Sequence, residues 1–357
     1  MKRYGGFEGN AQTFRILTRL EKRLDNPSQL DPNTSVPRWF EGGVEVSVGL
    51  NLCSRTLASV LKYDAEINYV EKGDGKFLKG YYRSESPVVR RIKRDVVGDE
   101  NFQELSTIEC QIMDYADDIA YSTYDLEDAF KGGALTPLDL LTVVDSTLEE
   151  VARRVSKDLK TTFSPAEAKR VLRDLFGFLA PLELPKFKSK AKWKEWYLQT
   201  LESAHRASRE YSSRSFFRTS FTSALVGNFI NAIQVEVDHG RPALSKISME
   251  EGVWKQMSVL KQLSYVLLIE SSRFKIVSYR GEKIIQTIFE ALSSNEGYRL
   301  MPADFVEKYR QAQSSGQEDL VKRVICDFIA GMTDDYAIEF YSRLQSEQFQ
   351  SIFNPSL

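Results

Sequence analysis

Three side chains on one candidate helix carry the strongest chemical signal in the sequence. In the segment Glu109 to Asp125, the residues Asp117, Tyr121 and Asp125 recur every four positions. Residues four apart on a helix differ by about 40° in direction, so the three form one slanted stripe. Ala116, Ile119 and Ala120 flank it with small or apolar surface. Carboxylates in such surroundings are costly unless they are paired, hydrogen-bonded or bound to a cation. An acid–aromatic–acid stripe suits a metal and a sugar hydroxyl side by side: one carboxylate takes the cation, the phenol stacks or hydrogen-bonds, and the second acid accepts from the hydroxyl. The same spacing also describes a solvated acidic face beside a core stripe.

A second set is basic. Tyr211, Arg214 and Arg218 stand at i, i+3 and i+7, which places them on one helical face, and guanidinium forks match phosphate oxygens bidentately. A solvated basic face has the same spacing. The Arg90-Arg91-Ile92-Lys93-Arg94 run, and the Lys186 to Lys194 run with Trp193 and Trp196, combine cations with aromatics or lie in charge clusters. Such patches bind single-stranded nucleic acid weakly in some proteins and are plain solvated faces in more of them.

The elements that must hold these groups are helical. Stripes of apolar residues at 3.6-residue spacing mark 10–24, 51–63 and 105–130, the last ending at Gly132-Gly133, a good stop signal. Further helices are expected over 137–159, 165–178, 190–212, 214–235, 251–272, 281–293, 302–313 and 317–347, with a break near Gly331. Alternation on both sides of His239-Gly240-Arg241-Pro242 predicts a small hairpin over 234–247, and 64–87 reads as a long surface loop. The expected fold class is all-α, with a minor β ornament.

Composition sets the limits. The 357 residues are 42% hydrophobic and 27% charged with a net charge of −2, ordinary for a soluble globular protein and without a global field for nucleic acid or anionic membrane. The first ten residues lack the apolar run of a signal peptide, and no apolar stretch is long enough to span a bilayer. Cys53, Cys110 and Cys326 are widely spaced and odd in number, which points to buried thiols in a reducing cytoplasm. Only two histidines occur, His205 and His239.

Four stretches carry a family resemblance. DYADDIAYSTYDLED at 114–128, FEGNAQTFRILTRLE at 7–21, LASVLKYD at 57–64 and VICDFIAGMTDDYAIEFYSRL at 324–344 resemble, in the same order, blocks of the dGTPase-like deoxynucleoside triphosphate triphosphohydrolases of the HD-domain superfamily. The resemblance implies a multi-helix bundle, with 1–235 as the remainder of the HD-type catalytic domain and 236–357 as a C-terminal phosphohydrolase-associated region. It implies hydrolysis of a dNTP, dGTP first, to deoxynucleoside and triphosphate by a metal-bound water, with Mg²⁺ or Mn²⁺ as the ion. Homo-oligomers are typical of such proteins.

Residue by residue, Asp117 resembles the aspartate that completes the metal site. Tyr121 and Asp125 match positions that read the deoxyribose, including its 3′-hydroxyl. Lys62 and Tyr63 match the pair that holds the phosphates, Arg214 and Arg218 match triphosphate ligands, and Asn10 and Gln12 match a polar pair near the nucleotide. The superfamily also needs a histidine and an adjacent His-Asp pair upstream of the FEGNAQ block. Here His205 precedes Arg206 and His239 precedes Gly240, so there is no His-Asp dipeptide. One carboxylate cannot build a water-activating site. The expectation is a chain truncated after the HD motif, with impaired chemistry; a non-catalytic nucleotide-binding or regulatory subunit is the alternative.

Overall fold

The computed structural model describes residues 5–21, 39–41, 44–46, 49–67, 79–177 and 189–345. Among them are fourteen α-helices and two two-stranded antiparallel sheets, so the chain is all-α with small β additions. Parts of the expected 64–87 loop, of the Lys186 to Lys194 run and of the last helix lie outside the described residues. The fold divides into two compact units that interleave along the chain.

The first unit takes in the described residues of Met1–Gln111, Asp238–Ser245 and Val277–Leu357. Its first helix, α1 (Gly9–Arg15), starts where the Glu8 carboxylate accepts the Ala11 N–H at 2.9 Å, and it runs on into a π-helical turn over Ile16–Leu20. Gly49 packs against that turn with φ of +56°, where a Cβ would lie 2.2 Å from the Leu17 carbonyl oxygen. Only glycine fits there. Helices α2 (Ser54–Val60) and α3 (Ser86–Val97) bury Leu57, Val88, Val89 and Ile92 against Phe14. No helix is expected over 86–97 from the sequence, because its charge run masks the inward stripe of Val88, Val89 and Ile92. A second cluster joins Ile288 and Leu292 of α11 (Ser272–Leu292), Tyr309 of α12 (Ala303–Ser314), Ile325 and Phe328 of α13 (Glu318–Ala330) and Ala337 of α14 (Asp334–Gln345). Each large aliphatic side chain so buried contributes roughly 1.5–3 kcal/mol.

A charged cluster ties these parts of the first unit together. Arg15 forks onto Asp327 at 2.8–3.0 Å and reaches Glu85 at 2.9 Å, and Arg19 reaches the same Glu85 oxygen at 2.7 Å. Gln12 donates to Asp327 at 3.0 Å and accepts from the Tyr82 hydroxyl at 3.1 Å. Arg323 lies 3.8 Å over the Tyr82 ring and donates to the Gly6 carbonyl. Burial alone would lower the Arg15 pKa, but Asp327 and Glu85 outweigh it and raise the value, so the guanidinium stays charged.

The second unit takes in Ile112–Val237 and Lys246–Ile276. Its core joins Ile119, Leu126 and Phe130 of α4 (Ile108–Lys131) to α6 (Asp145–Leu159), α7 (Pro165–Phe176), α9 (Ser215–Asn231) and α10 (Glu251–Ser264). The expected Gly132-Gly133 stop is present: Gly133 has φ of +67°, and Ala134 donates back to Ala129 at 2.9 Å. The predicted 137–159 helix is two helices, α5 (Pro137–Leu141) and α6, because Val144 is extended (φ −69°, ψ 151°). The hairpin expectation holds: β3 (Ile233–Glu236) pairs antiparallel with β4 (Lys246–Met249), Gln234 opposite Ser248. A pair the sequence did not suggest, β1 (Trp39–Glu41) with β2 (Val44–Val46), belongs to the first unit.

Truncating Asp327 would strand the buried Arg15 fork and the Gln12 amide. Asp327→Ala is expected to cost about 3–5 kcal/mol of stability. Urea unfolding followed by circular dichroism measures it, and a loss below about 1 kcal/mol would mean the cluster is locally replaceable.

Candidate functional site

The acid–aromatic–acid stripe lies on α4, in the second unit. The helix buries Ile119, Ser122, Thr123, Leu126, Ala129 and Phe130, at three- and four-residue steps. Ser122 and Thr123 satisfy their hydroxyls on the Ile119 carbonyl at 2.9 and 2.7 Å. Asp117 and Asp125 flank this stripe half-buried, and Tyr121 stands between them, 50% exposed. The neighbouring carboxylate behaves differently. Asp118 takes the Lys261 ammonium of α10 at 2.5 Å and is thereby accounted for as a structural ion pair. Asp125 has its pKa raised, chiefly by burial and then by the charge of Asp128.

The basic set is not one helical face. Tyr211 ends α8 (Lys190–Ser213), Arg218 belongs to α9, and Arg214 sits between them with extended backbone (φ −97°, ψ 116°). The i, i+3, i+7 argument fails because the helix breaks at its middle member. Arg214 is exposed, 3.9 Å from Glu210. Arg218 is 9% exposed; it donates to the Ser212 carbonyl at 2.6 Å, and its buried Nε has no hydrogen-bond partner. A buried guanidinium with an unused donor is the more suitable of the two for holding an anion.

In the first unit, Asn10 lies on α1 and donates to Glu8 at 2.8 Å. Gln12 is buried, with its amide oxygen taken by Tyr82 and its amide nitrogen by Asp327. That environment makes it a member of the charged cluster. Lys62 and Tyr63 follow α2, both half-buried, and the Lys79 ammonium lies 3.3 Å from the Tyr63 hydroxyl. Lys79 adds a cation to this pair that no sequence motif announces.

Residues 247–343 match the phosphohydrolase-associated domain family model. The chain is 41% identical over 373 residues to deoxyguanosinetriphosphate triphosphohydrolase-like protein 2 of Mesorhizobium japonicum, covering 99% of this chain and 75% of that protein. The chain belongs to the deoxyguanosinetriphosphate triphosphohydrolase-like family. Its similarity to the deoxyguanosinetriphosphate triphosphohydrolase-like protein of Shewanella woodyi is 26% over 389 residues, all of this chain and 72% of the relative.

Membership in this triphosphohydrolase-like family raises the question of a divalent ion. Among the described residues, no group of three or more His, Cys, Asp or Glu side chains could hold a metal. The described residues therefore do not by themselves supply Asp117 with the convergent donors that a water-activating ion requires. His205 and His239 are both exposed. No helix among the described residues is long and apolar enough to cross a membrane.

The raised pKa of Asp125 has a stability consequence. Its folded value lies above the ordinary 3.8, so the native state binds the proton more tightly than the unfolded chain. Stability from this group is therefore lost as pH rises through the window above 3.8. Asp125→Asn is expected to unfold at a higher temperature than wild type near neutral pH, with the gain narrowing as the pH approaches 3.8. Paired thermal melts decide it. A variant less stable at neutral pH would show a carboxylate that stabilises the fold.

Proposed function

We propose that this chain binds deoxynucleoside triphosphates, dGTP first among them, and that it serves the family's conversion of dNTP to deoxynucleoside and triphosphate. The observation carrying the reading is the α4 stripe. Asp125 is a carboxylate that the fold holds against its own desolvation, next to a phenol left half in solvent. A stabilising surface acid would show the opposite shift.

In this reading Tyr121 packs on the deoxyribose and Asp125 accepts from the 3′-hydroxyl. By the family resemblance Lys62 and Tyr63 are phosphate contacts, a compact charge and a directed hydroxyl, and Arg218 is read separately as a phosphate contact because its Nε donor is unused. Arg214 and Asn10 are held as outer polar contacts. Gln12 acts by fixing α1, since both ends of its amide are already engaged. Hydrolysis in the family breaks the bond between the α-phosphorus and the 5′-oxygen, and it depends on an ion, Mg²⁺ or Mn²⁺, that Asp117 would help to hold. With Asp117 in no group of metal-ligating side chains among the described residues, and no His-Asp dipeptide in the 357 residues, the chain alone binds nucleotide and turns it over poorly. The same donor deficit favours a second reading, a non-catalytic subunit that pairs with other copies of the family; association into oligomers in the cytoplasm fits both.

The test is triphosphate release from each dNTP by the purified chain with Mg²⁺ or Mn²⁺, beside thermal shift with dGTP. The expected result is a raised unfolding midpoint with dGTP and no release above background. Release that disappears in Asp117→Ala would sink the impairment, and absence of any nucleotide-dependent shift would sink the binding reading.

A further inference from the structure

The Arg90 to Arg94 run contains one cation that does not face solvent. Arg90 and Arg94 are exposed, but Lys93 is buried at 7% exposure, on the side of α3 that also buries Val89 and Ile92. Its ammonium lies 2.9 Å from Asp64 Oδ1, and the Asp64 side chain is 2% exposed. The contact is one of charge: that oxygen has no partner with hydrogen-bond angles. The other carboxylate oxygen accepts the Leu105 N–H at 2.8 Å.

Asp64 directly follows Lys62-Tyr63, and every neighbour of that pair is anchored. On one side Leu61 is buried and its carbonyl accepts from the Cys110 thiol at 3.7 Å. On the other, the Ala65 carbonyl accepts from Tyr81 at 2.9 Å, and Ile67 donates to the Tyr81 carbonyl at 2.9 Å. Between these anchors the carboxylate of Asp64 binds three separated stretches: its own, α3 through Lys93, and the segment leading into α4 through Leu105. Lys62 and Tyr63 are left half-buried in the middle.

Stability alone does not explain the pair. Desolvating two charges costs several kcal/mol per ion, and well-packed apolar residues at such positions are commonly as stable or more so. Helix α3 already has Val88, Val89 and Ile92 for packing. What a buried ion pair adds is a single direction for the backbone that carries it. We infer that Asp64 and Lys93 are positioning residues that fix the Lys62-Tyr63 segment for phosphate binding. The inference rests on Lys62 and Tyr63 being the phosphate-holding pair.

The experiment measures dGTP dissociation by isothermal titration calorimetry on the full chain, with the unfolding midpoint taken without nucleotide. The variants are Lys62→Ala, Lys93→Met, Lys93→Arg and the double variant Asp64→Asn with Lys93→Met. Removing both charges leaves no unpaired ion, so the double variant stays folded even where Lys93→Met alone does not. The expected result is an affinity about tenfold weaker in Lys62→Ala, in Lys93→Met and in the double variant, the last with a midpoint near wild type. Lys93→Arg keeps affinity within about threefold, because it restores a cation to Asp64. A folded double variant that binds dGTP as wild type does, while Lys62→Ala has lost binding, overturns the positioning role and leaves the phosphate reading standing. Wild-type affinity in Lys62→Ala overturns the phosphate reading, and the positioning role with it.

Discussion

The first unit depends on a carboxylate set into an apolar run. Asp327 lies in the sequence Val-Ile-Cys-Asp-Phe-Ile, 4% exposed, where an unpaired charge would be untenable. It is made tenable by Arg15 and Gln12, more than three hundred residues earlier in the chain. Glu85, fully buried, does the same for Arg15 and Arg19 from a third stretch. The arginines outnumber the acids once Arg323 is counted, and that extra cation is spread over the face of Tyr82. Each partner is affordable only while the others are present. The cluster therefore acts as a specificity device for which segments meet, more than as a source of net stability.

That dependence explains why the same device recurs beside the candidate phosphate residues. Asp64 and Lys93 also join segments distant in sequence through a buried charge, and they also leave functional candidates at their margin. Asn10 stands two residues from Gln12 as Lys62 stands two from Asp64. Hydrophobic contacts hold α2 and α3 together without specifying the path of the chain after Val60. A directed contact is needed for that, because an extended segment has no repeating hydrogen bonds of its own.

Much of this was legible from residue spacing. The α4 helix, its stop at Gly132-Gly133 and the hairpin around His239 follow from periodicities that local chemistry enforces. Two features, helix α3 and the charged cluster, did not follow. Helix α3 was hidden because its charge run reads as a solvated face, although one of its cations turns inward. The break at Arg214 agrees with the separate helices expected over 190–212 and 214–235, and it is the placing of Tyr211, Arg214 and Arg218 on one helical face that fails. The charged cluster is non-local, and its one sequence sign was an aspartate where periodicity called for an aliphatic residue. Position along the chain could therefore name Arg214 and Arg218 as equivalent phosphate candidates, while burial separates them.

The two acids of α4 illustrate the same limit from the other side. Asp118 and Asp125 sit on one helix with similar sequence surroundings, and both would count as acidic-face residues by spacing. Asp118 has a lysine from α10 to neutralise it. For Asp125 burial and the charge of Asp128 both oppose ionisation. An ion pair answers the charge of Asp118, whereas burial and a second carboxylate oppose that of Asp125, which makes Asp125 the candidate of the two for a ligand. A sugar hydroxyl is a ligand that could use it, since a hydroxyl donates to a carboxylate without requiring a countercharge.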